Sequence, residues 1–354
     1  MPKFGRYLRR KSKGAIMTPL TVAAPTILAA ARTMRAALHR AYGRLEEGVA
    51  PMPVLAPGQV LVRVQAAHLT IGDHHVISGT PWLVRLSPYG GLPRPRHLVP
   101  GQCFSGVIEG VADGVEGFSV GDEVMGQDDH GAFSEYVVAS AARVARKPKT
   151  LSLEESAAVP WGLTALQGLR DAGGVQAGQK VLIIGASGAV GTWAVQVAKA
   201  LGAEVTAVCS TRNVEFVRGL GAAHVIDYTK EDYAAGGRFD VVFDLVGTRA
   251  LSELAGVLVD GGTYVAGAVG DGDFFGPILR LATVALRGLF SSRVKLKTFL
   301  QVPSAPDLAT LATLIDAGQA RPVIGQRCSL GQLPEALALV GSGHSRGQTL
   351  LVLR

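Results

Sequence analysis

From Met34 onward the apolar positions recur at a period of two. In "QVLVRVQAA", Val60, Val62 and Val64 fall on one face, as in a half-buried strand. "FSGVIEGV" and "DEVMG" flank "ADGVEGFSVG", which is rich in glycine and turn residues, and "GAFSEYVVASAARVARKP" supplies two more strands before Pro148. The pattern predicts short strands throughout this region, closing into a barrel-like β domain.

The period changes after about residue 153. Ser152 followed by Glu155 has capping-box spacing, so "LSLEESAAVPWGLTALQGL" opens as a helix. Strand and helix then alternate: "KVLIIGA", a helix through Leu201, "EVTAVC", the helix "NVEFVRGLG", "HVID", "FDVVFDLVG", the helix "LSELAGVLVDGG" and "TYVAGAVG". Such alternation predicts βαβ units around a parallel, doubly wound sheet. The tail reads as a helix, "LATLATLIDAG", then a strand, a helix and the closing strand "QTLLVLR". A chain of 354 residues exceeds one comfortable core, so two domains are expected, the tail returning to the first.

Composition narrows the class. Hydrophobic residues make up 48% and charged residues 18%, as in a globular protein and against disorder. The net charge of +7 is concentrated at the start: ten of the 35 basic residues precede the first acid, Glu46, leaving 25 against 28 acids. The body is therefore mildly acidic, and no nucleic-acid partner is expected. Cys103, Cys209 and Cys328 form no CxxC pair, which argues against a disulfide framework or structural zinc and suits a reducing, cytoplasmic setting. Residues 1–33 are a basic leader followed by a small-residue apolar run. That layout fits a secretory signal, an organelle transit peptide or a plain extension before a fold that begins at Met34. The apolar run is marginal for a membrane span, and no stable membrane insertion is expected.

The chemistry starts at "GASGAVG". Gly185, Gly188 and Gly191 follow a buried strand and open a helix with Val190, Ala194, Val197, Ala198 and Leu201 on one face. Glycines in that context let the backbone approach a pyrophosphate seated on the helix N-terminus. At the end of the next strand an NAD-binding chain usually places an acid, whereas "CSTRN" offers Ser210 and Arg212. A guanidinium binds a 2′-phosphate and a carboxylate repels it, so the cofactor indicated is NADPH. The plainer alternative makes Arg212 a solvated helix-start residue.

These stretches, with "GVEGFSVGDEVMG", "AAVPWGLTALQGL", "LGAAHVIDYT" and "GGTYV", resemble the medium-chain dehydrogenase/reductase superfamily, in its zinc-free quinone oxidoreductase (zeta-crystallin-like) branch. The resemblance implies a GroES-like catalytic domain at 34–157, a Rossmann domain at 158–304 and a return to the catalytic domain at 305–354. It places Thr164, Ser187, Gly188, Ala189, Val190, Tyr228 and Val246 against the cofactor, beside Ser210 and Arg212. A homodimer is expected. Where zinc relatives carry a Cys and a His-Glu pair, this chain has Thr70 and Gln102-Cys103, so no metal is expected. The branch itself usually has Asn at Thr70 and a Tyr near His75, which puts substrate choice in question. The implied reaction is hydride transfer to a quinone or an α,β-unsaturated carbonyl. Thr70 would donate a hydrogen bond and His75 a proton, with Trp82, Tyr89 and Trp161 walling a flat hydrophobic substrate. Two other readings stay open: an alcohol dehydrogenase, and a non-catalytic NADPH-binding protein.

Overall fold

Why the first half folds as it does is visible in strand β3, where Val60, Val62 and Val64 all point into a core with Phe104, Ile108 and Phe133. The computed structural model describes residues 32–235, 237–267, 283–284, 293–343 and 345–353, so the leader lies outside the described residues. Strands β1 (Thr33–Ala41) and β2 (Arg44–Pro51) pair as a hairpin. Then follow β3 (Gln59–Leu69), β4 (Cys103–Val111), β5 (Glu123–Gln127), β6 (Tyr136–Ser140) and β7 (Val144–Arg146). With β14 (Ile324–Cys328) and β15 (Gln348–Val352) from the tail, they form a seven-stranded sheet in the order β14-β15-β3-β4-β5-β7, β6 pairing with β3.

One expectation for this half needs correction. Between β3 and β4 the chain is not all strand: Ile71–Ser78 is a helix, α1, and Trp82–Leu86 a 3₁₀ turn. The cause is a capping box between Thr70 and Asp73, which satisfies the first orphan amides of the helix. Gly79, at φ 69°, then ends it in the left-handed region.

The second half is a six-stranded parallel sheet: β8 (Lys180–Ile184), β9 (Glu204–Cys209), β10 (His224–Asp227), β11 (Phe239–Asp244), β12 (Leu258–Ala266) and β13 (Lys295–Thr298). Its order, β10-β9-β8-β11-β12-β13, reverses direction between β8 and β11. Ligands of such sheets bind at that switch point, beyond the strands' C-terminal ends. The helices are α2 (Leu153–Ser156), α3 (Gly162–Gln167), α4 (Ala189–Ala200), α5 (Val214–Gly219), α6 (Leu251–Gly256), α7 (Ala305–Asp316) and α8 (Leu333–Gly341). The Ser152–Glu155 capping box is present, but Pro160 cannot continue a helix, and the expected run is split into α2 and α3. "LSELAGVLVDGG" also divides: α6 stops at Gly256 and Leu258 already starts β12, because the apolar run is wanted in the sheet. On α7, Leu308, Leu311 and Ile315 line one helical face and bury with Trp193 and Leu163, between the two sheets' cores.

Candidate active site

The glycine turn sits at the switch point. Gly185 follows β8 at φ 86°, and a Cβ there would press on the Val246 side chain. A Cβ at Gly191 would run into the Gly185 carbonyl oxygen, so α4 lies against the turn only because glycine stands there. Gly188 caps α4 without a side-chain hydrogen bond. The amides of Ala189, Val190 and Gly191 therefore point out of the helix end with no intrahelical acceptor, which fits a diphosphate.

At the adenosine end, the structure adds a residue that the sequence reading missed. Asn213 is buried and donates through Nδ2 to Ser187 Oγ at 3.1 Å and to Ser210 Oγ at 3.3 Å, joining the glycine turn to the end of β9. Arg212 is exposed beside it. A second missed residue is Asp227, register partner of Cys209 on the neighbouring strand. Its carboxylate accepts from Thr211 Oγ1 at 2.6 Å and from Thr229 Oγ1 at 2.7 Å, with Lys230 Nζ 3.5 Å away. The Thr211 hydroxyl, followed by Thr229, pulls its pKa down to about 2. An acid thus stands at the end of the strand beside β9, with its oxygens engaged by these neighbours. Tyr228 (56% exposed) and Val246 (40% exposed) lie at the ends of β10 and β11, open at this same edge.

Helix α3 turns one residue outward. Its other five positions are buried, whereas Thr164 is half-buried. The hydroxyls of Thr192, Thr310 and Thr313 bond back to their own helices. Among the described residues Thr164 Oγ1 makes no such bond.

In the facing domain Thr70 is 1% exposed. Its hydroxyl accepts from Asp73 N at 3.0 Å and donates to Asp73 Oδ2 at 2.7 Å. A Cβ built on Gly72 would lie 3.3 Å from Thr70 Oγ1, 3.9 Å from Gln102 Oε1 and 3.9 Å from the Trp161 ring, so these three converge on one bare backbone. Burial pushes the Asp73 carboxyl up to about 6. Below them His68 is fully buried, Cys103 and Gln127 following it in register across β4 and β5. Among the described residues both His68 ring nitrogens lack a partner, and burial drives its pKa down to about 3. Its ring centroid is 6.0 Å from that of Trp161.

His75 stands apart from this group. Its Nδ1 lies 2.7 Å from the Thr80 carbonyl oxygen, which only accepts, so Nδ1 carries the proton. Burial, the largest cause, lowers its pKa, and the bond to Thr80 leaves Nε2 as the ring nitrogen not engaged there. Of the expected substrate walls, Trp161 lies against Gly72. Tyr89 lines a cavity of about 10 Å³ with Asp73, Gln102, His97 and His130. Trp82 is 43% exposed on the 3₁₀ turn and is not among the residues lining that cavity.

The side chains at this position are poor metal ligands. Thr70 is committed to its cap, Gln102 offers a neutral amide, and the Cys103 thiol is driven well above its usual range by burial and by Asp73. Among the described residues no three His, Cys, Asp or Glu side chains converge.

Comparison with known proteins agrees with this layout. Residues 56–149 match the alcohol dehydrogenase GroES-like domain, and residues 220–351 match a family described as zinc-binding dehydrogenase. The chain is 36% identical to the mouse (Mus musculus) mitochondrial NAD(P)H oxidoreductase RTN4IP1, over 83% of this chain and 82% of that protein. It is 30% identical to the 2-methylene-furan-3-one reductase of Solanum lycopersicum, covering 97% and 87% respectively. A solved quinone oxidoreductase from Coxiella burnetii superposes with a TM-score of 0.78 at 29% identity, covering 91% of this chain and all of that one (100%). The chain belongs to the medium-chain dehydrogenase/reductase family, with the GroES-like β-rich domain and parallel Rossmann sheet of its quinone oxidoreductases. It is an oxidoreductase of that type, built for a nicotinamide cofactor.

Proposed function

We propose that the protein is an NADPH-dependent reductase that transfers hydride to a quinone or an α,β-unsaturated carbonyl without a metal. One observation carries this reading: the dinucleotide turn is intact, while the facing wall at the metal position is built from Thr70, Gln102 and Trp161. The names of the tomato and Coxiella relatives, an enone reductase and a quinone oxidoreductase, support the substrate classes. NADPH, when bound, supplies the hydride. The amides of Ala189, Val190 and Gly191 hold the diphosphate, Ser210 and Arg212 the 2′-phosphate, and Thr164 fixes which nicotinamide face is offered. Trp161 walls the substrate. Ionised Asp73 takes the Thr70 proton as a hydrogen bond; protonated Asp73 donates instead, and the Thr70 hydroxyl is released to point a proton at the substrate oxygen. His75 orients the Thr80 turn and is not needed as the acid.

The working setting we propose is a reducing one, the cytoplasm, or an organelle if the basic leader is a targeting segment, as the mouse relative's mitochondrial name suggests. Among the described residues no helix is long and apolar enough to cross a membrane. The test is NADPH oxidation by the purified chain against a panel of quinones, enones and simple alcohols, with elemental analysis and chelator treatment. Turnover of quinones or enones, unchanged by chelator and without stoichiometric zinc, is expected. About one zinc per chain with chelator-sensitive alcohol oxidation would overturn the reading. NADPH binding with no turnover across the panel would leave the non-catalytic one.

A further inference from the structure

Asp73 is 2% exposed and Thr70 1%, so a proton given up by this pair has no direct return from solvent. Both bonds from Thr70 fall on Asp73 Oδ2, and among the described residues none reaches Oδ1. The same carboxyl lines the cavity of about 10 Å³, which has room for roughly one water. Gln102, Tyr89 and His97 line it too, and they offer such a water its polar partners.

Exposure and pairing decide which group on this cavity can hand a proton inward. His39 on β1 is 2% exposed as well, and its Nε2 is spent on the Ile77 carbonyl oxygen at 3.0 Å. The Cys103 thiol on β4, which also faces Asp73, is fully buried. Asp129 is ion-paired at 2.9 Å with Arg143, which also holds Asp128. Burial, and then the Asp129 carboxylate, raise the Tyr89 phenol away from exchange at neutral pH. His97 differs from all of these. It is half-buried, lines the cavity and stacks on the exposed His130, the centroids 3.8 Å apart and the planes 19° apart. The Pro88 carbonyl, which also accepts from Arg96 Nη1 at 3.3 Å, accepts from the His97 ring and orients it. Two imidazoles this close do not both carry charge cheaply, so a proton arriving on one is passed on.

We propose that His97, partnered by His130, is the proton port of this site, returning a solvent proton to Asp73 through a water in the shared cavity. The inference deepens the reading above and rests on its Thr70–Asp73 proton donor. As hydride arrives on the substrate, the Thr70 proton passes to the substrate oxygen and the Asp73 proton refills Thr70. The His97 proton then crosses the water to Asp73, and His97 is recharged from solvent through His130. Each turnover so consumes a hydride and a solvent proton, and every side chain ends as it began.

The experiment follows NADPH oxidation by the full chain with the quinone or enone of the panel that turns over best. Wild type, His97→Ala, His97→Gln, His130→Ala and Asp73→Asn are compared, with thermal melts to establish folding. Both His97 variants should lower kcat by about tenfold or more while NADPH affinity holds within about twofold. Added imidazole should restore much of the His97→Ala rate, saturably, and none of the Asp73→Asn loss. The solvent deuterium effect on kcat should rise in His97→Ala, and His130→Ala should lose less than either His97 variant. If both His97 variants keep the wild-type kcat, or lose a rate that imidazole does not restore, while Asp73→Asn is slow, the port fails and the Thr70–Asp73 donor stands. Asp73→Asn at the wild-type rate removes that donor and the port with it. A wild type that turns over no quinone or enone overturns both.

Discussion

Asp73 Oδ2 accepts from both the backbone N–H of Thr70, at 2.9 Å, and its hydroxyl, at 2.7 Å. The cap of α1 and the Thr70 hydroxyl are therefore one unit, and its charge state has consequences for stability. Burial pushes the Asp73 carboxyl from 3.8 up to about 6, so the folded chain binds this proton more tightly than the unfolded one. The stabilisation is complete below about pH 4 and is lost as the pH rises through about 6. Asp73→Asn should remove this dependence, gaining on wild type between pH 4 and 7 by on the order of 3 kcal/mol. Urea midpoints of both proteins from pH 4 to 8 measure the difference; parallel curves would show that the carboxyl is not its source.

Thr70→Asn restores the side chain usual in the branch, and asparagine caps helices as well as threonine does. Fold stability should change by less than about 1 kcal/mol, and NADPH affinity by less than about twofold. Relative kcat/KM for quinones against enones should shift, because the changed hydrogen bond acts on substrate alone. An intact ranking with altered cofactor affinity would move Thr70 into the cofactor site.

Among the described residues His68 has two ring nitrogens without partners in the interior. Replacing it with leucine removes both unsatisfied groups at similar volume, and a gain on the order of 1 kcal/mol is expected. Chemical denaturation gives the sign directly. A clear loss would mean that the ring is hydrogen-bonded in solution.

Asn213→Ala cuts the two bonds that join Ser187 to Ser210. Losing roughly 1 kcal/mol of preorganisation predicts about a fivefold weaker NADPH affinity, with kcat at saturation nearly unchanged. Fluorescence titration and saturation kinetics separate the two, and a collapse of kcat would assign Asn213 to the chemistry.

Thr164→Val keeps the shape and deletes the hydroxyl, and Thr164→Leu then adds bulk at the proposed nicotinamide face. Turnover should fall stepwise along the pair while NADPH affinity holds within about threefold, since positioning errors act on the reacting geometry. Turnover unchanged in both variants would return Thr164 to packing.

The glycine turn and the parallel sheet were legible because both obey short-range rules: a buried run, three small residues and a periodic helix face. Helix α1 was not. At eight residues it is too short to show a period, and its capping box uses Asp73 where the sequence rule looks for Glu or Gln. Thr70 and Trp161 could be picked from the resemblance, but their meeting over Gly72 depends on two domains packing together. His75 was chosen for its titration range alone, and its bond to the Thr80 carbonyl follows from a turn five residues away. Asn213 and Asp227 gave no local signal. Their roles arise where strand ends distant in sequence come together.

Gln348 grips the first turn of α4 from 159 residues downstream. Since domains emerge and fold from the N-terminus during synthesis, the Rossmann sheet is made well before the residue that clamps its phosphate turn. A nascent chain therefore passes through a stage with a folded sheet and a loose cofactor turn. Apoprotein in that state would be the form most open to proteolysis at the glycine loop.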